Sequence, residues 1–317
     1  WNVSEGGLEY TFSLRKNAFW SDGKPVTAYD FEYAWKRALD PTKESAVVFM
    51  MYFLKNGEAY NKNKCQKDDV GVKAIGEYTL KVTLENPAPY FLEILNYHTY
   101  YPVRQDIVEK DPDSWFRKPY LMVSNGPFCL EEWKENKQIK TIKNPYYWDK
   151  NNVKLNSIRY LIERIDDEEI WTRYKDKKVD FGYVFPPEID MADEIESKEN
   201  NVLADDSVTT LYMCINSKKK PFDDIRVRQA LELVINKQRI VDDEKMNEPI
   251  ATGFVPFGIP DAEQGSDFRT VGGDYLTKEF TEENVIKAKK LLKGHPHLKA
   301  NAGCTLEINE VMPMPSM

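Results

Sequence analysis

The sequence predicts a mixed α/β chain in two parts: a mainly antiparallel α+β layer over residues 1 to about 153, then an alternating succession of strands and helices. Three observations carry this reading. At 317 residues the chain has roughly twice the length of a typical domain. Its first half holds several period-two runs joined by short turns, the pattern of neighbouring antiparallel strands. After Asn151-Asn152 strands and helices alternate, which suggests a parallel βαβ arrangement in a different lobe.

The elements follow in order. Leu8 to Arg15 alternates apolar and polar side chains as a half-buried strand does, and Ser21-Asp22-Gly23 supplies a turn. Thr27 is placed to cap a helix with Asp30 at the third helical position; Phe31, Ala34, Trp35 and Ala38 then share one face, and the helix stops near Asp40-Pro41. Gly71 to Pro87 reads as a hairpin turning at Gly76-Glu77. A helix is expected from Tyr90 to about Leu95, and strands over Gly126 to Glu135 and Gln138 to Asn144. Beyond Asn152 the pattern predicts a strand at 157–164, a helix at 166–178, a strand at 179–185 and a helix beginning at 186. Thr209 to Asn216 reads as a further strand, and Asp223 to Val241 as one amphipathic helix with Val227, Ala230, Leu231, Val234 and Ile235 on one side. The stretch from Gly253 to Asp274, rich in Gly, Pro and Asp, is expected to be irregular; a helix over Thr281 to Leu292 and a strand over Cys304 to Val311 close the chain.

Composition narrows function. The formal net charge is -8, and no basic stripe of the kind that neutralises phosphates is present, so a nucleic-acid partner is not expected; Lys218, Lys219 and Lys220 precede Pro221 and read as a solvated turn. The longest apolar run, Ala46 to Leu54, is half of the roughly 18 residues that span a bilayer. Four cysteines, Cys65, Cys129, Cys214 and Cys304, lie far apart, and His295 and His297 flank a proline without a cysteine nearby, so neither a zinc site nor a dense disulfide framework is expected, and no metal or other cofactor. Trp1 to Gly7 shows no targeting signal, and the chain reads as a piece of a longer one.

Catalytic templates are missing from the sequence: there is no GxSxG, HExxH, GxxxxGK[ST] or GxGxxG. Nucleophilic catalysis through an imidazole would have to use one of only three histidines. The acidic run Asp166 to Glu169 opens a predicted helix, where carboxylates favour the positive end of the dipole, and adjacent helical carboxylates cannot face each other across a cleft. The aromatic clusters at 96–102 and 144–150 could line a cleft, and large rings of this kind more often fill a core.

Three stretches together carry a resemblance. Tyr10 to Pro41 has a strand ending in LR, a W-x-DG turn and V-T-A-x-D-F opening a helix that closes on DP; Ser124 to Trp133 reads SNGPFCLEEW and is followed by NPYYWD at Asn144 to Asp149; Ile215 to Ile240 carries PF-x-D-x-RVR-x-A. In order and spacing these blocks resemble the peptide-type extracytoplasmic solute-binding proteins of ABC importers, the oligopeptide- and dipeptide-binding group (family 5). Within the blocks, Arg15 and Asp22 flank one turn and are placed to pair locally, while Asp223 or Asp224 after Pro221-Phe222 caps the helix that follows.

The resemblance implies an α/β, two-lobed periplasmic-binding-protein-like fold of type II with an extra antiparallel subdomain, present here in part. On it, 1–153 is the extra subdomain, 154–213 belongs to the first lobe, and 214–317 is the crossover and the start of the second lobe. It implies binding without catalysis: capture of oligopeptides and delivery to an ABC permease in the membrane, by an exported monomer, periplasmic or lipid-anchored on the outer face. Ligand-facing positions carried over from the group are Tyr183, Tyr212, Cys214, where close relatives have an acidic residue, and Lys245, which resembles a basic residue that meets a peptide carboxylate; Val47 stands where the group has Tyr. Another solute, such as an oligosaccharide, a nickel complex or haem, is the alternative on the same fold, and a glycoside hydrolase is a third reading.

Overall fold

The computed structural model describes residues 1–43, 45–183, 208–244, 249–263 and 265–294. Lys245, His295, His297, Cys304, the helix expected from 186 and the final strand lie outside the described residues. The chain divides into two compact units, Trp1–Arg164 and Ile165–Met317.

The first unit is built on two antiparallel sheets. Strands β1 (Asn2–Val3), β2 (Glu9–Ser13), β3 (Val72–Gly76) and β4 (Thr79–Thr83) form one, in the order β1-β2-β4-β3. The alternation read along residues 71–87 is realised literally: Val72 and Ala74 on β3, and Leu80 and Val82 on β4, are the buried members. Helix α1 (Ala28–Ala38) packs on this hairpin. Its N-terminus is fixed as expected, for the Thr27 N–H donates to the Asp30 carboxylate at 2.8 Å. Ala34 and Trp35 are buried, and Phe31 and Ala38 pack against the same core. The short helices α2 (Gly57–Asn61), α3 (Phe91–Ile94) and α4 (Gln105–Val108) close the unit.

The aromatic stretch at 96–102 is mainly packing. Tyr100 is buried, meets Trp35 edge-on at 5.0 Å, accepts the Trp35 indole N–H on its carbonyl at 2.7 Å, and donates its hydroxyl to the Met50 carbonyl at 2.8 Å. The charged side chain of Lys36 is also buried here: it lies between Glu32 (2.8 Å) and Asp68 (3.1 Å), which supply the partners an enclosed ammonium requires.

The second sheet, β5 (Phe128–Lys134), β6 (Gln138–Lys143) and β7 (Ser157–Leu161), is antiparallel throughout. The strand that begins the alternating region thus adds to β6 of the first unit, and no parallel pair occurs among the described residues. The described part of 179–185 and all of Thr209 to Asn216 carry no ladder. Alternation sets which side chains would share a face, but a strand forms only where a neighbour takes up its N–H and C=O groups.

The second unit holds α5 (Asp167–Lys175), α6 (Ile225–Val234), α7 (Lys237–Glu244), α8 (Phe268–Gly272) and α9 (Glu282–Leu292), with α6 packed on α9. Asp166 caps α5, accepting the Glu169 N–H at 2.8 Å. Between the two candidates, Asp224 caps α6, accepting the Arg226 N–H at 2.8 Å. The single helix expected over Asp223 to Val241 is two: Ile235 is extended, and Asn236 restarts the chain by accepting the Arg239 N–H on its side chain at 3.0 Å.

Candidate functional site

Two blocks of the sequence resemblance converge in the first unit, and they do so on the Ser21-Asp22-Gly23 turn. The Ser21 N–H donates to the Ser124 carbonyl at 2.8 Å, and the Ser124 N–H returns a bond to the Ser21 hydroxyl at 3.1 Å. Gly23, at φ 84°, lies against the Tyr146 ring, where a Cβ would meet Cε1 at 3.3 Å. Asn144, fully buried, donates to the Ser124 and Gly126 carbonyls and accepts the Tyr146 N–H.

The expected Arg15–Asp22 pair is not formed. Arg15 stacks on Trp148, 3.7 Å from the ring centroid, and Asp22 accepts instead from buried Arg104, whose Nε also donates to Asp106 at 2.8 Å. A fork of donors satisfies two carboxylates at once, which one local arginine at the rim of the turn could not do. This junction is a structural joint: every polar group just named already has a protein partner.

The ligand-facing candidates lie in the second unit. Tyr183 is 71% exposed; it follows Gly182, where a Cβ would come within 2.6 Å of Ile170 Cγ2, so a residue without a side chain lets this segment run close along α5. Tyr212 is 60% exposed and meets Phe254 edge-on with centroids 4.9 Å apart. Cys214 is exposed with a free thiol. Lys245 lies outside the described residues. Among the three described candidates, Tyr212 is joined to a concave surface through Phe254.

That surface is a groove of about 380 Å3 whose walls include Phe254, Phe268, Tyr275 and Leu276. It arises from the 253–274 stretch, which is ordered by side-chain caps. Asp267 accepts the Thr270 N–H at 2.9 Å to open α8 and the Gly258 N–H at 2.6 Å to close the loop before it. These backbone donors hold the Asp267 carboxyl below the usual carboxylate range. Below the groove, buried Arg269 donates to Thr252 Oγ1 at 2.7 Å and to Asp274 at 3.3 Å. Asp274 is held below its ordinary value first by the Thr252 hydroxyl. Sequence reading passed over Phe254, Phe268, Arg269 and Tyr275 because they follow no period; the signal available was an aromatic at nearly every turn of a Gly/Pro-rich loop.

A second concavity of about 320 Å3, in the first unit, runs between Phe49, Phe53 and Tyr90, with Phe53 and Tyr90 edge-to-face at 5.8 Å. Among the described residues no three His, Cys, Asp or Glu converge as a metal site, and no helix is long and apolar enough to cross a membrane.

Comparison with known proteins covers nearly the whole chain. Residues 1–309 match the model of the bacterial extracellular solute-binding proteins, family 5 Middle. The dipeptide-binding protein DppE of Bacillus subtilis is 39% identical over 294 residues, 92% of this chain and 52% of that protein. The oligopeptide-binding protein OppA of the same organism is 36% identical over 300 residues, 92% of this chain and 55% of its own. Among solved structures, Listeria monocytogenes OppA bound to peptide superposes with a TM-score of 0.73 at 30% identity, covering 92% of this chain and 58% of that one. The chain spans about half the length of the curated relatives it matches.

Proposed function

Because the chain belongs to the bacterial extracellular solute-binding proteins of family 5, we propose that it is part of the substrate-binding component of an ABC importer, which captures oligopeptides between two lobes and delivers them to a membrane permease. The observation that carries the reading is similarity along nearly all of the chain to relatives named for dipeptide and oligopeptide binding. On this reading 1–153 is the extra subdomain, 154–213 part of the first lobe, and 214–317 the crossover and start of the second.

The mechanism is retention without chemistry. A peptide is held through its backbone by strand-like hydrogen bonds, its termini by charged groups, and its side chains in hydrated pockets that tolerate variety. Tyr183, Tyr212 and Cys214 present side chains to it and Lys245 meets its carboxylate. The protein acts as an exported monomer, periplasmic or lipid-anchored on the outer face of the membrane.

Calorimetric titration of the whole protein to which this chain belongs, with random tripeptides, cello-oligosaccharides and nickel salts, tests the proposal. Heat of binding with the tripeptides alone is expected. Saturable binding of the sugars or the nickel salts, with none of the tripeptides, would transfer the site to another solute.

A further inference from the structure

We propose that Arg269 is a positioning residue that holds the aromatic wall of the second unit's groove in the shape that selects a large apolar side chain of the bound peptide; this rests on the peptide-binding reading above. Arg269, the second residue of α8, is 3% exposed, while the rings of Phe254, Phe257 and Tyr275 stand out in solvent. Its guanidinium lies 5.4 Å from the centroid of Tyr275 and 5.9 Å from that of Phe257, within cation–π range of both. Its Nη2 is fixed by Thr252 Oγ1 and Asp274, so the planar group cannot turn away from the rings.

Two further observations separate this arrangement from an ordinary loop staple. Nη1 is buried and has no hydrogen-bond partner among the described residues, and a buried donor without a protein partner calls for a specific explanation. Gly253, which lines the groove, covers that nitrogen: a Cβ there would sit 2.5 Å from Nη1 and 3.1 Å from Tyr275. Gly253 has no positive φ to explain it, so its lack of a side chain answers to the arginine and the tyrosine. The guanidinium is therefore packed between Gly253 and the rings of Tyr275 and Phe257, and Gly253 joins it to Phe254, the next residue in the chain. Phe254 in turn meets Tyr212, the residue proposed to face the ligand.

The test uses the whole protein to which this chain belongs and two probes, the tripeptides Ala-Phe-Ala and Ala-Ala-Ala, with affinities measured by calorimetry. In the unaltered protein the phenylalanine peptide is expected to bind more tightly. Arg269→Met should reduce that preference by about tenfold, the scale of one well-buried ring, while binding of the alanine peptide stays within about twofold. Arg269→Lys, which keeps a cation over the rings, should restore part of the preference. Should Arg269→Met fail to fold, Thr252→Val, which removes the hydroxyl that fixes Nη2, carries the same expectation. Fluorine NMR of fluorotyrosine-labelled protein adds a readout without ligand, since the Tyr275 resonance should shift in the Arg269 and Thr252 variants alike. An equal loss for both peptides, or an unchanged ratio, would reduce Arg269 to a scaffold residue and overturn the proposal. Failure of the unaltered protein to bind either peptide would instead remove the peptide reading itself.

Discussion

Arg104 and Asp22, 82 positions apart in sequence, form an ion pair in which the guanidinium is buried and the carboxylate half-buried. The same guanidinium holds Asp106, so one side chain fastens the Ser21-Asp22-Gly23 turn to the segment that opens α4. Replacing it with methionine keeps an unbranched apolar stem but leaves two carboxylates without their guanidinium partner. A fully enclosed pair broken from one side costs roughly 3–5 kcal/mol. Both acids here retain solvent contact, which lowers the expected cost of Arg104→Met to about 2 kcal/mol. Hydrogen-exchange mass spectrometry should record faster exchange at 20–26 and 104–110, with the second unit unchanged.

Asp106 also sets a pH dependence. The hydrogen bond from Arg104 foremost, against an opposing contribution from burial and with help from Lys24, holds its carboxyl well below the usual carboxylate range. The unfolded chain therefore takes up this proton first as pH falls, at about pH 4, and folded stability declines below that point. The contribution is complete above the unfolded value and is lost as pH drops through the folded one. Asp106→Asn should flatten the loss of stability between about pH 5 and 3, measured as urea midpoints of the first unit. A decline as steep as that of the unaltered protein would assign the acid sensitivity to other carboxylates.

The Tyr100 hydroxyl is buried against the Met50 carbonyl, and burial pushes its pKa up, so it stays a donor into alkaline solution. Tyr100→Phe preserves the edge-on contact with Trp35 while orphaning that carbonyl. A loss of about 1–2 kcal/mol is expected, read from the denaturant midpoint of the first unit. A cost near zero would mean that water reaches the carbonyl.

What could be read from sequence divides by range. Thr27, Asp30 and the Phe31/Ala34/Trp35/Ala38 face were legible because cap and period are local properties, and the β3–β4 hairpin was legible for the same reason. The Arg104–Asp22 pair was not, because nothing within the turn distinguishes it from the nearer Arg15. Strand alternation at Thr209 to Asn216 was real as a pattern but needed a partner strand to become structure. At the candidate site Tyr212 was reached through family resemblance, whereas Phe254 and Tyr275 became visible only when Asp267 and Arg269 had folded an aperiodic loop around them.

The edge-on contact between Tyr212 and Phe254 gives the sharpest test of where ligand meets the second unit. If Tyr212 faces bound peptide, Tyr212→Ala removes both its own contact and the support of the Phe254 ring. A rise of about tenfold in the peptide dissociation constant is expected, with Phe254→Ala giving a smaller rise in the same direction. Because the two rings touch, the double variant should lose less than the sum, with a coupling of about 0.5–1.5 kcal/mol. Tyr183→Ala, in a separate segment, should add to either one. Full additivity of Tyr212 with Phe254 would mean that the contact is incidental to binding, and the Phe254 groove would then lie away from the peptide's path.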